Sequence, residues 1–224
     1  MTIAPRLLLL SAALLLAGCR APAPAPALEA TLIARPGPAQ LTLKGKALGL
    51  TPQVVKVASL EEVLQITAAM DKSQLTETRV RVLSATAAEV TFLFGEGSSA
   101  MAKVLGFPRI LVFDYGSALT FEVNKFDLAP AFTALLDRQA ELLTGPFAGL
   151  NVFVCGHTDQ SGEAGHNAVL SLQRAQAVEN YLAAHKVGKA LLKAQGFGSA
   201  YPVAGNDTAP GRALNRRTEI ILPQ

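Results

Sequence analysis

The chain has 224 residues, of which 50% are apolar, so it is long enough for one or two domains with a packed core. Its formal charge is only +3, and Lys and Arg are scattered among Asp and Glu. Nucleic-acid-binding domains carry clustered basic residues, so the composition argues against a nucleic-acid partner.

The N-terminus has the pattern of a secretory signal. A single cation, Arg6, precedes an apolar run from Leu7 to Ala17 and small residues up to Cys19. The run is far shorter than the ~20 residues that a transmembrane helix needs. The signal therefore predicts export across a membrane and not a membrane-spanning helix.

The last four residues of that segment, LAGC, resemble the lipobox of bacterial lipoproteins. The resemblance implies a signal peptide at residues 1–18, a diacylglycerol thioether on Cys19 and an acylated amine, with palmitate among the acyl chains. Arg20 stands where an Asp would favour the inner membrane, so attachment to the periplasmic face of the outer membrane is expected. An ordinary signal peptide with an incidental cysteine is the alternative.

Residues 19–28 are rich in alternating Ala and Pro and predict an extended linker. At ~3.1 Å per residue such a linker reaches roughly 30 Å. The only other cysteine is Cys155, so no disulfide can form within a chain whose Cys19 carries lipid. We expect Cys155 to be a small buried strand residue and not a reactive thiol.

Residues 29–108 predict a small α+β domain of uncertain fold and unknown function. Two strand-like runs flank a Pro-Gly-Pro turn in 29–46, the spacing of 59–73 predicts a helix capped by Ser59, and 78–94 alternates like a hairpin. This range contains no His and no Cys, which disfavours a hydrolase there.

From residue 109 onward, strand and helix patterns alternate, which favours helices packed on one face of a mixed sheet. Strands are predicted in 110–123, 151–156, 190–198 and 217–222, and helices in 128–143 and 167–185. Pro130 suits the first turn of the first helix.

A stretch with two histidines and an aspartate raises the question of a catalytic or metal site. His157 and Asp159 point to one side of a strand, with His166 close in sequence, but the spacing is neither HExxH nor CxxC. Neither Ser161 nor Ser171 stands in a G-x-S-x-G context. We predict no metal, no cofactor and no catalytic residue, with both histidines structural or at a rim.

The same stretch favours a binding pocket. Asn167, Leu170 and Arg174 share one helix face, and the loop carrying Asp159 and Gly162 leads into that helix. The N-H groups of a first helical turn favour a carboxylate, and a guanidinium can hold one through two hydrogen bonds. An ionised aspartate suits an ammonium. Together these groups predict a site for a zwitterion.

These residues lie in a longer pattern: GHTD, a Gly three residues later, N-x-x-L-S-x-x-R-A and a final G-R-x-x-N-R-R. Over residues 117–224 the pattern resembles the OmpA-like peptidoglycan-binding domain, in the arrangement of the peptidoglycan-associated lipoproteins. The resemblance implies a βαβαββ-type domain at 109–224. Its ligand in that family is the diaminopimelate of the peptidoglycan stem peptide, which carries an amine and a carboxylate on one carbon.

By resemblance, Asp159 takes the ammonium, Arg174 takes the carboxylate and the other matched residues line the pocket. The implied peptidoglycan-binding residues are Asp159, Arg174, Asn167, Leu170, Asn124, Gly162 and Arg216. Arg216 is preferred to Arg217 on the resemblance alone, and a solvated basic turn is the alternative for this pair.

The main prediction is a non-enzymatic lipoprotein that binds peptidoglycan and tethers the outer membrane to the wall. The alternative is an accessory or anchoring subunit of an envelope secretion or efflux assembly, with residues 29–108 docking an envelope protein partner.

Overall fold

The computed structural model of the chain describes residues 27–116, 121 and 125–224. The predicted signal peptide, Cys19, most of the predicted linker and Asn124 lie outside the described residues. The described part is α+β, which confirms the predicted fold class.

The first part of the fold contains seven strands and two short helices. They are β1 (Leu28–Arg35), β2 (Gln40–Leu43), β3 (Lys46–Leu50), β4 (Gln53–Val57), α1 (Leu60–Val63), β5 (Ile66–Ala69), β6 (Leu75–Ser84), β7 (Ala87–Phe94) and α2 (Ala100–Leu105). Strand β1 thus begins at the last residue of the predicted linker.

In the described residues of the second part there are four strands, three α-helices and a 3-10 turn. They are β8 (Ile110–Gly116), α3 (Pro130–Thr144), β9 (Val152–His157), α4 (Ala164–Ala184), the 3-10 turn Lys189–Leu191, β10 (Leu192–Gly196), α5 (Ala209–Asn215) and β11 (Arg217–Pro223). Every strand and helix predicted beyond residue 109 has a counterpart here within the described residues.

One eight-stranded mixed sheet runs through both parts, in the order β10-β9-β11-β8-β6-β7-β1-β4. The two parts meet where β6 pairs in parallel with β8, from Glu77 opposite Ile110 to Val82 opposite Tyr115. A smaller sheet has the order β3-β2-β5. The division at 108/109 stays a prediction, but backbone hydrogen bonds of a single sheet cross it.

Helices α3 and α4 cover one face of the second part, because each has an apolar stripe that repeats every three to four residues. Phe132, Leu136 and Ala140 of α3 and Val178 and Leu182 of α4 are buried there in one core. Pro130 occupies the first turn of α3, as predicted. The prediction of helices on one sheet face is confirmed for these two long helices.

The opposite face of the sheet has a smaller core beneath the short helix α2. Met101 of α2 packs there with Val112, Phe153 and Cys155. Cys155 is fully buried, as predicted, and burial raises the pKa of its thiol, so this cysteine is a packing residue.

A buried cluster of charged residues lies on this second face, where the two parts meet. Arg79 of β6 lies 2.7 Å from Glu77 and 3.1 Å from Asp114 of β8, and it also binds Glu219 of β11. Arg217 donates to Glu219 as well, at 2.8 Å. Burial alone would raise the pKa of Glu219, but the charges of Arg217 and Arg79 hold it well below its ordinary value.

The predicted helix over 59–73 is wrong except for its first turn. Ser59 occupies the N-cap position, but its side chain makes no capping hydrogen bond, and α1 ends at Val63. Ile66–Ala69 instead forms β5, which pairs with β2. Most of the range 59–73 does not form the predicted helix, because pairing with a neighbouring strand overrides a weak local preference for helix.

Within the described ranges, no helix is both long and apolar enough to cross a membrane.

Candidate functional site

The candidate site lies where β9 ends and α4 begins. The loop between them turns at Gly162, whose φ of +82° strains any residue with a side chain. The side-chain amide of Asn167 donates to the carbonyls of Asp159 (3.3 Å) and Ser161 (2.9 Å). Asn167 therefore fastens the loop to the first turns of the helix and sets the position of Asp159.

Asp159 is nearly buried, and both of its carboxylate oxygens are engaged. Oδ1 accepts from the backbone N-H of Ser161 at 2.8 Å, and Oδ2 accepts from Nη1 of Arg216 at 2.6 Å. Burial would raise the pKa of Asp159, but these hydrogen bonds and the charge of Arg216 lower it below its ordinary value. Asp159 is therefore a carboxylate at neutral pH.

Arg174 lies on the buried face of α4 together with Asn167 and Leu170, as their spacing predicts. Its Nε donates to the carbonyl of Lys125 at 3.0 Å, and its guanidinium carbon lies 5.1 Å from the ring centre of Phe121. Burial, and then the charge of Arg216, lower the pKa of Arg174, whereas the charge of Asp159 raises it. The two arginines and Asp159 therefore form one electrostatic group.

Arg216 and Arg217 are adjacent in the sequence, but the structure places their side chains in different environments. Arg216 reaches Asp159 and remains 38% exposed at its side chain, whereas Arg217 is buried in the charged cluster on the other sheet face. Asn215, fully buried, fixes this turn by accepting from the backbone N-H groups of Val203 (2.8 Å) and Ala204 (3.0 Å).

The histidines lie apart from these contacts. His157 is buried and stacks on Phe197, with ring centres 5.5 Å apart, and its Nε2 is 3.3 Å from Glu219 Oε2 without hydrogen-bond geometry. Burial lowers the pKa of His157, so it is neutral at pH 7. His166 is exposed on the first turn of α4. Across the described part of the chain, no cluster of three or more His, Cys, Asp or Glu could hold a metal.

The structure brings together six of the seven predicted binding residues, and the seventh, Asn124, lies outside the described residues. Three contributors were missed: the ring of Phe121, the carbonyl of Lys125 and the amide of Asn215. Phe121 lies in the strand predicted over 110–123 and in the range 117–224 that resembles the family, so its position was visible in the sequence. A backbone carbonyl carries no sequence signal, so the role of Lys125 could not be found there.

A protein-family model described as the OmpA family matches residues 120–216. The chain contains an OmpA family domain. The OmpA domain thus includes every residue of the candidate site.

Two curated relatives each match about half of the chain. Peptidoglycan-binding protein ArfA of Mycobacterium tuberculosis is 40% identical over 108 residues, which are 48% of this chain and 32% of ArfA. Probable lipoprotein YiaD of Escherichia coli is 36% identical over 113 residues, 50% of this chain and 51% of YiaD. The chain therefore spans about a third and a half, respectively, of these relatives' lengths.

A solved structure similar to part of the chain is that of the peptidoglycan-associated lipoprotein of Burkholderia pseudomallei. It is 28% identical, the match covers 46% of this chain and 87% of that one, and the TM-score is 0.43.

Proposed function

We propose that this protein is a cell-envelope lipoprotein that binds peptidoglycan non-covalently through the diaminopimelate of the stem peptide. The observation that carries the proposal is a single buried site with one carboxylate, Asp159, and one deeply placed guanidinium, Arg174. The far end of diaminopimelate presents an ammonium and a carboxylate on one carbon, which matches this pair of charges. The name of the relative ArfA also states peptidoglycan binding.

The proposed role is mechanical and not catalytic. The prediction of a non-enzyme agrees with the OmpA family, whose domains are structural binding domains. The comparisons do not favour the alternative of an accessory subunit in a secretion or efflux assembly. The outer-membrane location and the lipid on Cys19 belong to the proposal, with the lipobox and the lipoprotein relative YiaD as support.

A weak binding site can hold the wall if the other end of the protein is anchored in the membrane. Two charge-assisted hydrogen-bonded contacts on a small ligand contribute only a few kcal/mol in total, about 1.5 to 3 kcal/mol each. A lipid anchor with a short linker keeps the site near the wall at roughly millimolar effective concentration. Rebinding then holds outer membrane and wall together even if each contact is short-lived.

Removing either charge is expected to weaken wall binding. With diaminopimelate-containing sacculi, we expect Asp159→Ala and Arg174→Ala to bind about 10- to 100-fold more weakly than the wild type in a sedimentation assay. Sacculi with lysine in place of diaminopimelate lack the far carboxylate and serve as the negative control. The pocket assignment is wrong if both variants pellet as well as the wild type.

Phe121 is expected to support binding through Arg174. Phe121→Leu removes the aromatic face beneath the guanidinium, and because such contacts contribute about 0.5 to 2 kcal/mol, we expect roughly fivefold weaker sedimentation with sacculi. Phe121→Tyr keeps a ring and should bind like the wild type. Equal losses in both variants would indicate a packing role for Phe121 and no contribution to the pocket.

A further inference from the structure

A cavity of about 240 Å³ lies between the eight-stranded sheet and the layer formed by α1 and β5, and it shares no lining residue with the candidate site. Six apolar side chains that line it are at most 6% exposed. They are Val63, Ile66, Val80, Val90, Phe92 and Leu111. The first part of the fold supplies most of the lining, and Leu111 and Phe147 of the second part complete it. A ligand in this cavity would therefore contact both parts.

The size and the apolar lining of the cavity favour an apolar occupant over water. Water needs several polar partners to occupy a buried space, whereas an apolar cavity of roughly 150 Å³ in a protein interior stays dry and binds benzene. Side chains that line an unfilled space also lose dispersion contacts, and an apolar ligand restores them. This cavity is larger than that example, so it has room for a segment of an acyl chain.

The opening of the cavity is cationic. Thr67, Arg109 and Gln224 are its exposed lining residues and therefore form the opening, and Arg109 is the one charged side chain among the described lining residues. Within the described part of the chain, the guanidinium of Arg109 has no hydrogen bond or ion pair. A guanidinium can hold a carboxylate through two parallel hydrogen bonds. The opening therefore favours an anionic head group over a neutral or cationic one.

We propose that this cavity binds a fatty acid, whose acyl chain enters between the sheet and β5 while Arg109 holds its carboxylate at the opening. The combination of an apolar interior and a single cation at the opening carries the inference. A lipid with two acyl chains fits less well, because its second chain would stay in water. Since both parts of the fold line the cavity, the bound fatty acid stabilises their association.

The head group is tested by calorimetric titration of the full chain with decanoate, decanol and decyltrimethylammonium, each below its micellar concentration. We expect decanoate to bind about threefold to tenfold more tightly than decanol, and the cation to bind most weakly. In Arg109→Gln, decanoate and decanol should bind alike. Arg35→Gln removes an exposed arginine outside the cavity and should keep the wild-type order.

The acyl chain is tested by its length and by filling the cavity. Octanoate should bind about tenfold more weakly than decanoate or worse, because each buried methylene is worth about fourfold in affinity. Ala68→Phe places a ring in the cavity from β5 and should weaken decanoate binding by about tenfold or more. Ala69→Phe is the matched control, since neighbouring strand residues point to opposite faces and Ala69 is exposed.

The apolar run at residues 7–17 can also take up amphiphiles, but all variants retain it, so differences between variants report the cavity. Equal decanoate binding by Ala68→Phe and Ala69→Phe would overturn the inference. So would a wild type that prefers decanol or the cation to decanoate. If Ala68→Phe does not fold, as judged by circular dichroism, the comparison of Arg109→Gln with Arg35→Gln still decides. Arg109→Gln should sediment with sacculi like the wild type, so this inference and the proposed function fail independently.

Discussion

Arg79→Ala is expected to lower the free energy of unfolding by about 3 to 5 kcal/mol. The guanidinium of Arg79 is shared by the carboxylates of Glu77, Asp114 and Glu219, whose side chains are at most 2% exposed. Without it, like charges remain buried close together with fewer partners, and a buried unpaired charge costs far more than a surface pair contributes. Urea denaturation followed by circular dichroism measures the loss.

Arg138→Ala is the matched control, since Arg138 also binds two carboxylates, Glu61 and Glu141, but is 45% exposed. Solvent screening limits the expected loss there to about 0 to 1 kcal/mol. Similar losses in the two variants would show that the buried cluster contributes no more than a surface ion pair.

The same experiment bears on the organisation of the chain. Arg79 belongs to the first part of the fold, whereas Asp114 and Glu219 belong to the second, and β6 pairs with β8 beside them. We therefore expect one cooperative unfolding transition and not two, with Arg79→Ala shifting the whole transition.

The sequence predicted the second part of the fold well because its signals are local. Pro130 suited a helix start, and apolar spacing marked α3 and α4. The joining of the two parts was not predictable in this way. Arg79 and Arg81 alternate with Val80 and Val82, a pattern typical of a hairpin with one solvated face. Only the pairing of β6 with β8 places Asp114 beside these two arginines. Strand order is a long-range property that local periodicity does not encode.

In the candidate site, too, local features were predictable from the sequence and long-range contacts were not. Asn167, Leu170 and Arg174 were placed on one helix face by their spacing, and the structure has them buried together. The Asp159–Arg216 ion pair spans 57 residues, and spacing could not predict it. The sequence suggested only that Asp159 suits an ammonium, whereas the structure shows that its Oδ2 also accepts a hydrogen bond from Arg216 at 2.6 Å.

The second large effect is expected from Gly156→Ala. A Cβ at Gly156 would lie 2.0 Å from the backbone carbonyl oxygen of Ser171, so α4 must move away from β9. Because backbone cannot yield as a flexible side chain can, we expect a loss of about 3 kcal/mol in the free energy of unfolding, the upper end for overpacked interiors. Binding to diaminopimelate-containing sacculi should fall as well, since α4 carries Asn167 and Arg174.

Gly165→Ala provides a control of the same chemical change on the same helix. Gly165 is exposed in the first turn of α4, and a Cβ there would meet only the side chain of Glu163, at 3.8 Å. Alanine favours the helical backbone over glycine, so this variant should gain up to about 1 kcal/mol in the free energy of unfolding and bind sacculi normally. A loss of stability and binding in Gly156→Ala, together with a gain of stability and normal binding in Gly165→Ala, would show that contact between α4 and β9 holds Arg174 beside Asp159. An unchanged free energy of unfolding and unchanged binding in Gly156→Ala would show that the helix can shift without loss.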